Sequence, residues 1–115
     1  MKIIVAGSRT FTDYNMTRDI LNNISEFNMI TTIISGQARG ADTQGEMWAA
    51  SYKIPVKKYP ANWTDYGKRA GYIRNEQMAK EGDMLIAFWD GKSKGTKHML
   101  DTMRKMDKPS IVMEY

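Results

Sequence analysis

The sequence predicts an α/β fold in which one doubly wound, five-stranded parallel sheet carries helices on both faces. Two continuous apolar runs, Ile3–Ala6 and Met84–Trp89, lack the alternation of a half-exposed strand and so indicate strands buried on both faces. Strand-like and helix-like segments alternate in the order βαβαβαβαβ, which is typical of a parallel sheet. The length of 115 residues suits a single domain, residues 1–115, with one core.

The first strand leads into a helix that begins near Thr12 or Asp13, because both residue types are good N-caps. Ile20, Ile24 and Phe27 follow at i, i+4 and i+7 and predict one apolar face for this helix. The pattern is typical of a helix that packs one side on a core.

The middle of the chain predicts a second strand at residues 30–34 and a second helix at residues 42–52. The apolar residues of this helix are crowded, so we expect it to be well buried. A short third strand at residues 55–59 is expected near an edge of the sheet, since it contains Pro55 and two lysines. Residues 60–67 are predicted to form a polar and aromatic loop.

The last part of the chain begins with a weaker helical pattern at residues 68–80, followed by the strand at 84–89. A helix is predicted at residues 96–106, ended by Pro109, with a last strand at 111–113. Right-handed crossovers place the loops that follow the strands along one edge of the sheet, which is where such folds bind ligands.

Composition excludes several classes of site. There is no cysteine, so disulfides, thiolate catalysis and cysteine-based zinc sites are excluded, and the single histidine, His98, cannot form a cluster of histidine ligands. No metal site or cofactor is predicted. No apolar run approaches the ~20 residues that span a membrane, and Lys2 precedes an apolar run too short for a signal peptide. We therefore expect a cytoplasmic protein without a membrane partner.

The net charge is +4 and the isoelectric point about 9.3. This would suit an anionic ligand or a nucleic acid. The basic residues are spread along the chain, however, and a merely solvated basic surface explains them equally well.

The stretch Ser35-Gly36-Gln37-Ala38-Arg39-Gly40-Ala41-Asp42 is the most specific motif. It joins a strand to a helix with small residues, which is how α/β proteins bring backbone N–H groups to an anion, and Arg39 adds a cationic fork. The stretch is neither G-x-G-x-x-G nor a Walker A motif. The alternative is a tight turn with Asp42 as a helix cap.

Two further loops leave strand ends. Gly7-Ser8-Arg9-Thr10 offers a glycine turn, two hydroxyl groups and a guanidinium. Gly91-Lys92-Ser93 superficially resembles the end of a P-loop, but Ile86 stands where that motif requires glycine. Gly95-Thr96 at the next helix start remains a plausible anion site.

Isolated residues give weaker signals, each with a structural alternative. Trp63 and Trp89 could stack on a base, although the core is favoured for Trp89. The pair Arg74-Asn75 is more typical of a helix surface, and nothing in the sequence pairs His98. The candidate ligand-binding residues are Gly7, Ser8, Arg9, Thr10, Ser35, Gly36, Gln37, Ala38, Arg39, Gly40, Asp42, Trp63, Arg74, Asn75, Trp89, Asp90, Lys92, Ser93, Gly95 and Thr96.

Four blocks together resemble the SLOG superfamily, and most closely its small YspA-like, YpsA-related domains. The blocks are Lys2–Arg9, Ser35–Asp42, Arg74–Ala79 and Leu85–Lys97, in this order along nearly the whole chain. The resemblance implies a Rossmann-like sheet that binds nucleotides or their derivatives. Relatives include the LOG phosphoribohydrolases, which cleave nucleoside monophosphates, sensors of ADP-ribose-type or cyclic nucleotide signals, and the DprA proteins, which bind single-stranded DNA.

The resemblance also bears on catalysis. Arg74 stands in a block similar to the Arg-Lys-x-x-Met of the LOG enzymes, and Gly95-Thr96 matches part of their Pro-Gly-Gly-x-Gly-Thr-x-x-Glu. The position of their glutamate is Met99 here, and the Pro-Gly-Gly is absent. If the protein is an enzyme, the resemblance implies a catalytic role for Arg74, and Glu46 or Glu76 could substitute for the missing glutamate.

Three functions remain open. The favoured one is binding without catalysis of a nucleotide-derived small molecule, for example by a phage or mobile-element protein that sequesters a defence signal. The alternatives are a nucleoside monophosphate N-glycosidase with a relocated carboxylate and, last, a single-stranded nucleic-acid binder. Dimers are common among relatives, so the partners considered are the small molecule and a second copy in a homodimer or higher homo-oligomer, with nucleic acid disfavoured.

Overall fold

The computed structural model describes all 115 residues. Its strands are β1 (Lys2–Gly7), β2 (Thr32–Ser35), β3 (Val56–Lys58), β4 (Met84–Trp89) and β5 (Ser110–Glu114). Its helices are α1 (Tyr14–Phe27), α2 (Ala41–Ser51), α3 (Trp63–Tyr66), α4 (Ala70–Glu81) and α5 (Lys94–Lys105), with one 3₁₀ turn at Gly67–Arg69.

The five strands form one sheet in the order β3-β2-β1-β4-β5, and every neighbouring pair is parallel. The predicted doubly wound α/β fold is confirmed. The chain moves outward from β1 through β2 to β3 and then returns to place β4 on the other side of β1. The switch in strand order therefore lies between β1 and β4, and a crevice forms beyond their carboxyl ends.

Successive residues of β1 pack into two separate hydrophobic cores, one on each face of the sheet. Ile3 and Val5 belong to a cluster with Trp48 and Leu21, under α1 and α2. Ile4, between them, packs on the opposite face with residues of α4 and α5 that include Met78, Ala79, Met99 and Met103. Because side chains alternate across a strand, one continuous apolar run supplies both cores.

Several local predictions were wrong. Phe27 is 80% exposed and does not extend the apolar face of α1. Residues 60–67 are not wholly a loop, because α3 lies within them, capped by Asn62, whose side chain accepts the Asp65 N–H at 3.1 Å. The last helix begins at Lys94 rather than Thr96, since Ser93 is its N-cap.

The second helix is less buried than its crowded apolar residues predicted. Trp48 and Ala49 are buried, but Met47 and Tyr52 are about half exposed. The second strand begins at Thr32, two residues later than expected. None of the helices is both long enough and apolar enough to cross a membrane.

Candidate functional site

A cavity of about 380 Å³ opens beyond the carboxyl ends of β1 and β4, at the switch in strand order. Three loops and the inward side of α4 surround it. Its lining consists of Ala6, Gly7, Ser8, Arg9, Thr10, Ala38, Asp42, Arg74, Asn75, Met78, Asp90, Ser93, Gly95, Thr96 and Met99. Twelve of these fifteen residues are among the predicted ligand-binding residues, so the structure brings most of that set together.

Ser8 joins the loops that form one side of the cavity. Its Oγ accepts the Asp90 N–H at 3.0 Å, and its own N–H donates to the Phe88 carbonyl at 2.9 Å. Its carbonyl accepts the Phe11 N–H at 3.2 Å. Ser8 is 2% exposed. The hydroxyl predicted to contact a ligand therefore holds the first loop to the fourth strand.

Glycine is required where these loops touch. A Cβ at Gly7 would lie 2.1 Å from the Phe88 carbonyl oxygen, and one at Gly40 would lie 2.4 Å from the Ser8 carbonyl oxygen. Gly40 also has a φ of +79°, which side chains rarely adopt. The absence of side chains lets β1 approach β4 at Gly7 and lets the loop before α2 approach Ser8 at Gly40.

The loop Ser35–Asp42 is largely satisfied by its own side chains. Ser35 Oγ accepts the Gln37 N–H at 3.1 Å and donates to Glu46 Oε2 at 2.6 Å. Asp42 Oδ2 accepts the Ala38 N–H at 3.1 Å. These two N–H groups are not available to a ligand, so this loop shapes the cavity more than it forms the predicted backbone cradle.

Asp42 is a buried carboxyl group in the wall of the cavity, 4% exposed. Burial raises its pKa from the ordinary 3.8 to about 6, although the Ala38 N–H bond and the charge of Arg74 oppose the rise. A carboxyl with such a pKa exists in both protonation states near neutral pH and can accept or donate a proton. No group of three or more acidic or histidine side chains is arranged to bind a metal ion.

Arg74 lies between this cavity and a second, adjoining one. Its Nη1 donates to the Gly36 carbonyl at 2.9 Å, while its Nε is buried without a partner. Burial lowers its pKa, Asp42 raises it, and the nearby Arg9 lowers it further. Neither arginine forms an ion pair within the protein. The second cavity, about 530 Å³, is lined by Arg9, Gly36, Gln37, Ala38, Arg39, Pro60, Ala61, Trp63 and Arg74.

The N-terminus of α5 forms another part of the wall of the first cavity. Asp90 Oδ1 accepts the N–H groups of Lys92 and Ser93 at 2.8 and 2.9 Å, and these bonds lower the Asp90 pKa. Ser93 Oγ accepts the Thr96 N–H at 3.3 Å. The N–H groups of Lys94 and Gly95 form no hydrogen bond within the protein. A Cβ at Gly95 would meet no atom within 4 Å, so the space above it is open.

Asn75 and His98 are not the surface residues that the sequence indicated. Asn75 is 5% exposed and lines the cavity. Its Nδ2 lies 3.2 Å from the Gly95 carbonyl oxygen and 3.2 Å from His98 Nδ1. The His98 ring stacks on Tyr72 with a centroid separation of 4.3 Å. Four residues from two helices therefore form one contact group beside the site.

Six predicted site residues line neither cavity: Ser35, Gly40, Glu46, Glu76, Trp89 and Lys92. Glu46 binds Ser35, and Glu76 is exposed on α4. Trp89 is half-buried, and its Nε1 donates to the Ser93 carbonyl at 3.1 Å, which ties down the loop between β4 and α5. Arg39 and Trp63 belong only to the second cavity.

Sequence reasoning missed the apolar part of the site. Ala6, Met78 and Met99 line the main cavity, and Pro60 and Ala61 line the second. It also missed Tyr115, whose hydroxyl is 2.7 Å from Thr10 Oγ1. Helical spacing could have indicated Met78, one turn after Arg74 on the same side of α4. No local signal points to Tyr115.

Comparisons with known proteins identify the family of the chain. The model of the YAcAr family, described as the YspA, cpYpsA-related SLOG family, matches residues 1–66, more than half of the chain. The Gene 61 protein of Mycobacterium phage D29 is 30% identical over 119 aligned positions, which cover 96% of this chain and 94% of the phage protein. No solved structure matches. The SLOG family is associated with a Rossmann-like fold and a nucleotide-related function. The family model and the phage relative together show that the chain belongs to the YspA, cpYpsA-related SLOG family.

Proposed function

We propose that the protein binds a nucleotide-derived small molecule in the cavity between β1 and β4. The observation that carries the proposal is that two kinds of hydrogen-bond donor suited to an anion line the same cavity. Gly95, whose N–H at the start of α5 has no partner within the protein, lines this cavity together with Arg9 and Arg74, two arginines without ion-pair partners. A helix N-terminus and guanidinium groups are the groups that proteins use for phosphate.

The rest of the lining suits the other parts of a nucleotide. Met78 and Met99 offer an apolar, polarizable surface for a base or sugar ring. Asp42, Asp90 and Asn75 add polar groups that can meet hydroxyl or amino groups. The volume of about 380 Å³ falls in the usual range of small-ligand sites.

The phage relative bears on the biological role. It aligns with nearly the whole of this chain, so a phage carries a protein of this kind as a single, similar domain. We propose that such a domain sequesters a nucleotide signal of host defence, with an ADP-ribose derivative or a cyclic nucleotide as the favoured ligand class.

Titration calorimetry tests ligand binding. The ligands are nucleoside monophosphates, ADP-ribose derivatives and cyclic dinucleotides. Arg74→Ala is expected to weaken binding by about 1.5–3 kcal/mol, the usual worth of a hydrogen bond to a charged group. Arg18→Ala is the control, because Arg18 lies on α1 outside both cavities, is partly exposed and pairs only with Asp19. Absence of binding across the whole ligand set would refute the proposal.

A nucleoside monophosphate N-glycosidase is the second candidate, and Asp42 favours it. Met99 stands where the LOG enzymes have glutamate, Glu76 is exposed and Glu46 is bound to Ser35. Asp42 is the cavity carboxyl whose pKa, about 6, suits a general base. We propose that Asp42 would take a proton from water as its oxygen attacks the anomeric carbon, while the N-glycosidic bond breaks and the base leaves with a proton from solvent.

Chromatography for free base after incubation with nucleoside monophosphates tests this activity. Asp42→Asn should abolish release of the base, whereas Glu76→Gln should leave it unchanged. Tight binding without any free base would instead leave binding as the function of the site.

A further inference from the structure

The contacts of Asn75 determine which of its polar atoms faces the cavity. The Gly95 carbonyl oxygen can only accept a hydrogen bond, so the Asn75 atom 3.2 Å from it must be the amide nitrogen. The same nitrogen lies 3.2 Å from His98 Nδ1. Its two hydrogens therefore have two acceptors, provided that His98 Nδ1 carries no proton. The Asn75 Oδ1 forms no hydrogen bond within the protein and is the polar atom left for the cavity.

We infer that His98 is a positioning residue that holds the Asn75 carboxamide with its oxygen toward the cavity, so that the site recognises a hydrogen-bond donor of the ligand, a sugar hydroxyl or an amino group, at that point. The identity of the donor rests on the proposed function, whereas the arrangement of His98 and Asn75 does not. An oxygen here repels phosphate, which leaves the phosphate to the α5 N-terminus and the arginines.

The surroundings of His98 favour the neutral ring that this arrangement needs. Burial, with the Tyr72 ring stacked at 4.3 Å, lowers the His98 pKa, and Lys105 on α5 lowers it further. Glu76 on α4 and Asp101 on α5 oppose this effect. A protonated His98 would donate from both nitrogens and could no longer accept from Asn75. Acid should therefore release the carboxamide.

Two variants separate the acceptor from the stacking. His98→Asn places an amide oxygen where Nδ1 stood, because both atoms are attached to Cγ, but it removes the ring. His98→Phe keeps a ring against Tyr72 and removes the acceptor. A structural role in packing predicts that Phe is the better replacement, whereas the positioning role predicts that Asn is.

Nitrogen-15 NMR of the free protein tests the arrangement without any ligand. We expect His98 to be the Nε2–H tautomer at pH 8, and the Asn75 side-chain amide signals to shift together with His98 as the pH falls. His98→Asn should remove that titration and His98→Phe should change the Asn75 signals at pH 8. An Nδ1–H tautomer, or Asn75 signals identical in wild type and His98→Phe, would overturn the inference.

Calorimetry with ribose 5-phosphate, inosine monophosphate, adenosine monophosphate and inorganic phosphate tests recognition of the donor. At pH 8, His98→Phe should weaken binding of the sugar-containing probes roughly two- to tenfold, the range of one neutral hydrogen bond, and leave inorganic phosphate unchanged. Loss for all three sugar probes identifies a hydroxyl as the donor, and loss for adenosine monophosphate alone identifies the amino group.

The pH profile adds a readout that packing would not move. Binding by wild type should weaken relative to His98→Asn as the pH falls below 6.5, the ordinary His value. Asp42 titrates in the same range but contributes to both proteins, so the difference belongs to His98. Equal effects of His98→Phe on phosphate and on the sugar probes would overturn the recognition step. Failure of every probe to bind would overturn the recognition step for these donors, whereas the proposed function is decided by the full ligand set and the arrangement of His98 and Asn75 by the NMR result.

Discussion

At the scale of single residues, the tightest approach in the site is between Gly7 and the Phe88 carbonyl. Gly7→Ala would place a Cβ 2.1 Å from that oxygen, which is fixed in the central strand β4. We expect a loss of about 1–3 kcal/mol or more in the free energy of unfolding, as for other overpacked sites, measured by urea denaturation. Gly95→Ala is the matched control, because Gly95 lies in α5 and its Cβ would meet open space, so the change should not lower stability. An equal loss of stability in Gly7→Ala and Gly95→Ala would contradict the explanation that a clash with the Phe88 carbonyl destabilises Gly7→Ala.

Asp42 makes a separate prediction about pH. Its pKa is raised from 3.8 to about 6, so the folded state binds more protons than the unfolded state between these values. Its favourable contribution is fully present below pH 4 and is lost as the pH rises through 6, a change on the order of 3 kcal/mol. Asp42→Asn should therefore gain stability relative to wild type as the pH rises through this range.

Asp90 provides the control of opposite sign for that experiment. Its pKa is lowered by the Lys92 and Ser93 N–H groups, so its contribution is present at higher pH and is lost in acid. Asp90→Asn should lose stability relative to wild type as the pH rises. Parallel pH profiles for the two variants would contradict both assignments.

At the scale of elements, helices α1 and α5 each begin with a side-chain N-cap, but only the cap of α5 lines the cavity. Asp13, which does not line the cavity, accepts the Met16 N–H at 3.1 Å at the start of α1. Ser93, which lines it, accepts the Thr96 N–H at 3.3 Å at the start of α5. Replacement of either by alanine should cost about 0.5–2 kcal/mol of stability in denaturant titrations. Only Ser93→Ala should also weaken binding of a phosphate-containing ligand in calorimetry.

At the scale of the whole molecule, ligand binding should raise the free energy of unfolding. A ligand present at 100 times its Kd adds about 2.7 kcal/mol to the free energy of unfolding, because it binds only the folded state. In Arg74→Ala, a tenfold weaker affinity at the same concentration would reduce that gain to about 1.4 kcal/mol. Thermal denaturation with and without ligand measures both. Equal gains in the two proteins would exclude Arg74 from the site.

Self-association of the protein into a homodimer remains a prediction. Phe27 and Met29 are each 80% exposed, yet isolated exposed apolar residues are common on monomers. Sedimentation velocity over a range of protein concentrations distinguishes a monomer from the proposed homodimer.

The sequence by itself determined the fold class, because apolar runs, their alternation with helical patterns and the polar loops between them are local signals. It also placed most candidate residues at one edge of the sheet, since loops after parallel strands meet there. Only the tertiary structure decided which polar groups remain free. Ser8 meets Asp90 across 82 positions, Arg74 meets Gly36 across 38, and Asn75 meets both Gly95 and His98. Such partners are distant in sequence and leave no trace in local periodicity. For that reason the sequence predicts an open cradle at Ser35–Asp42 and a surface pair at Arg74-Asn75, whereas the structure shows neither.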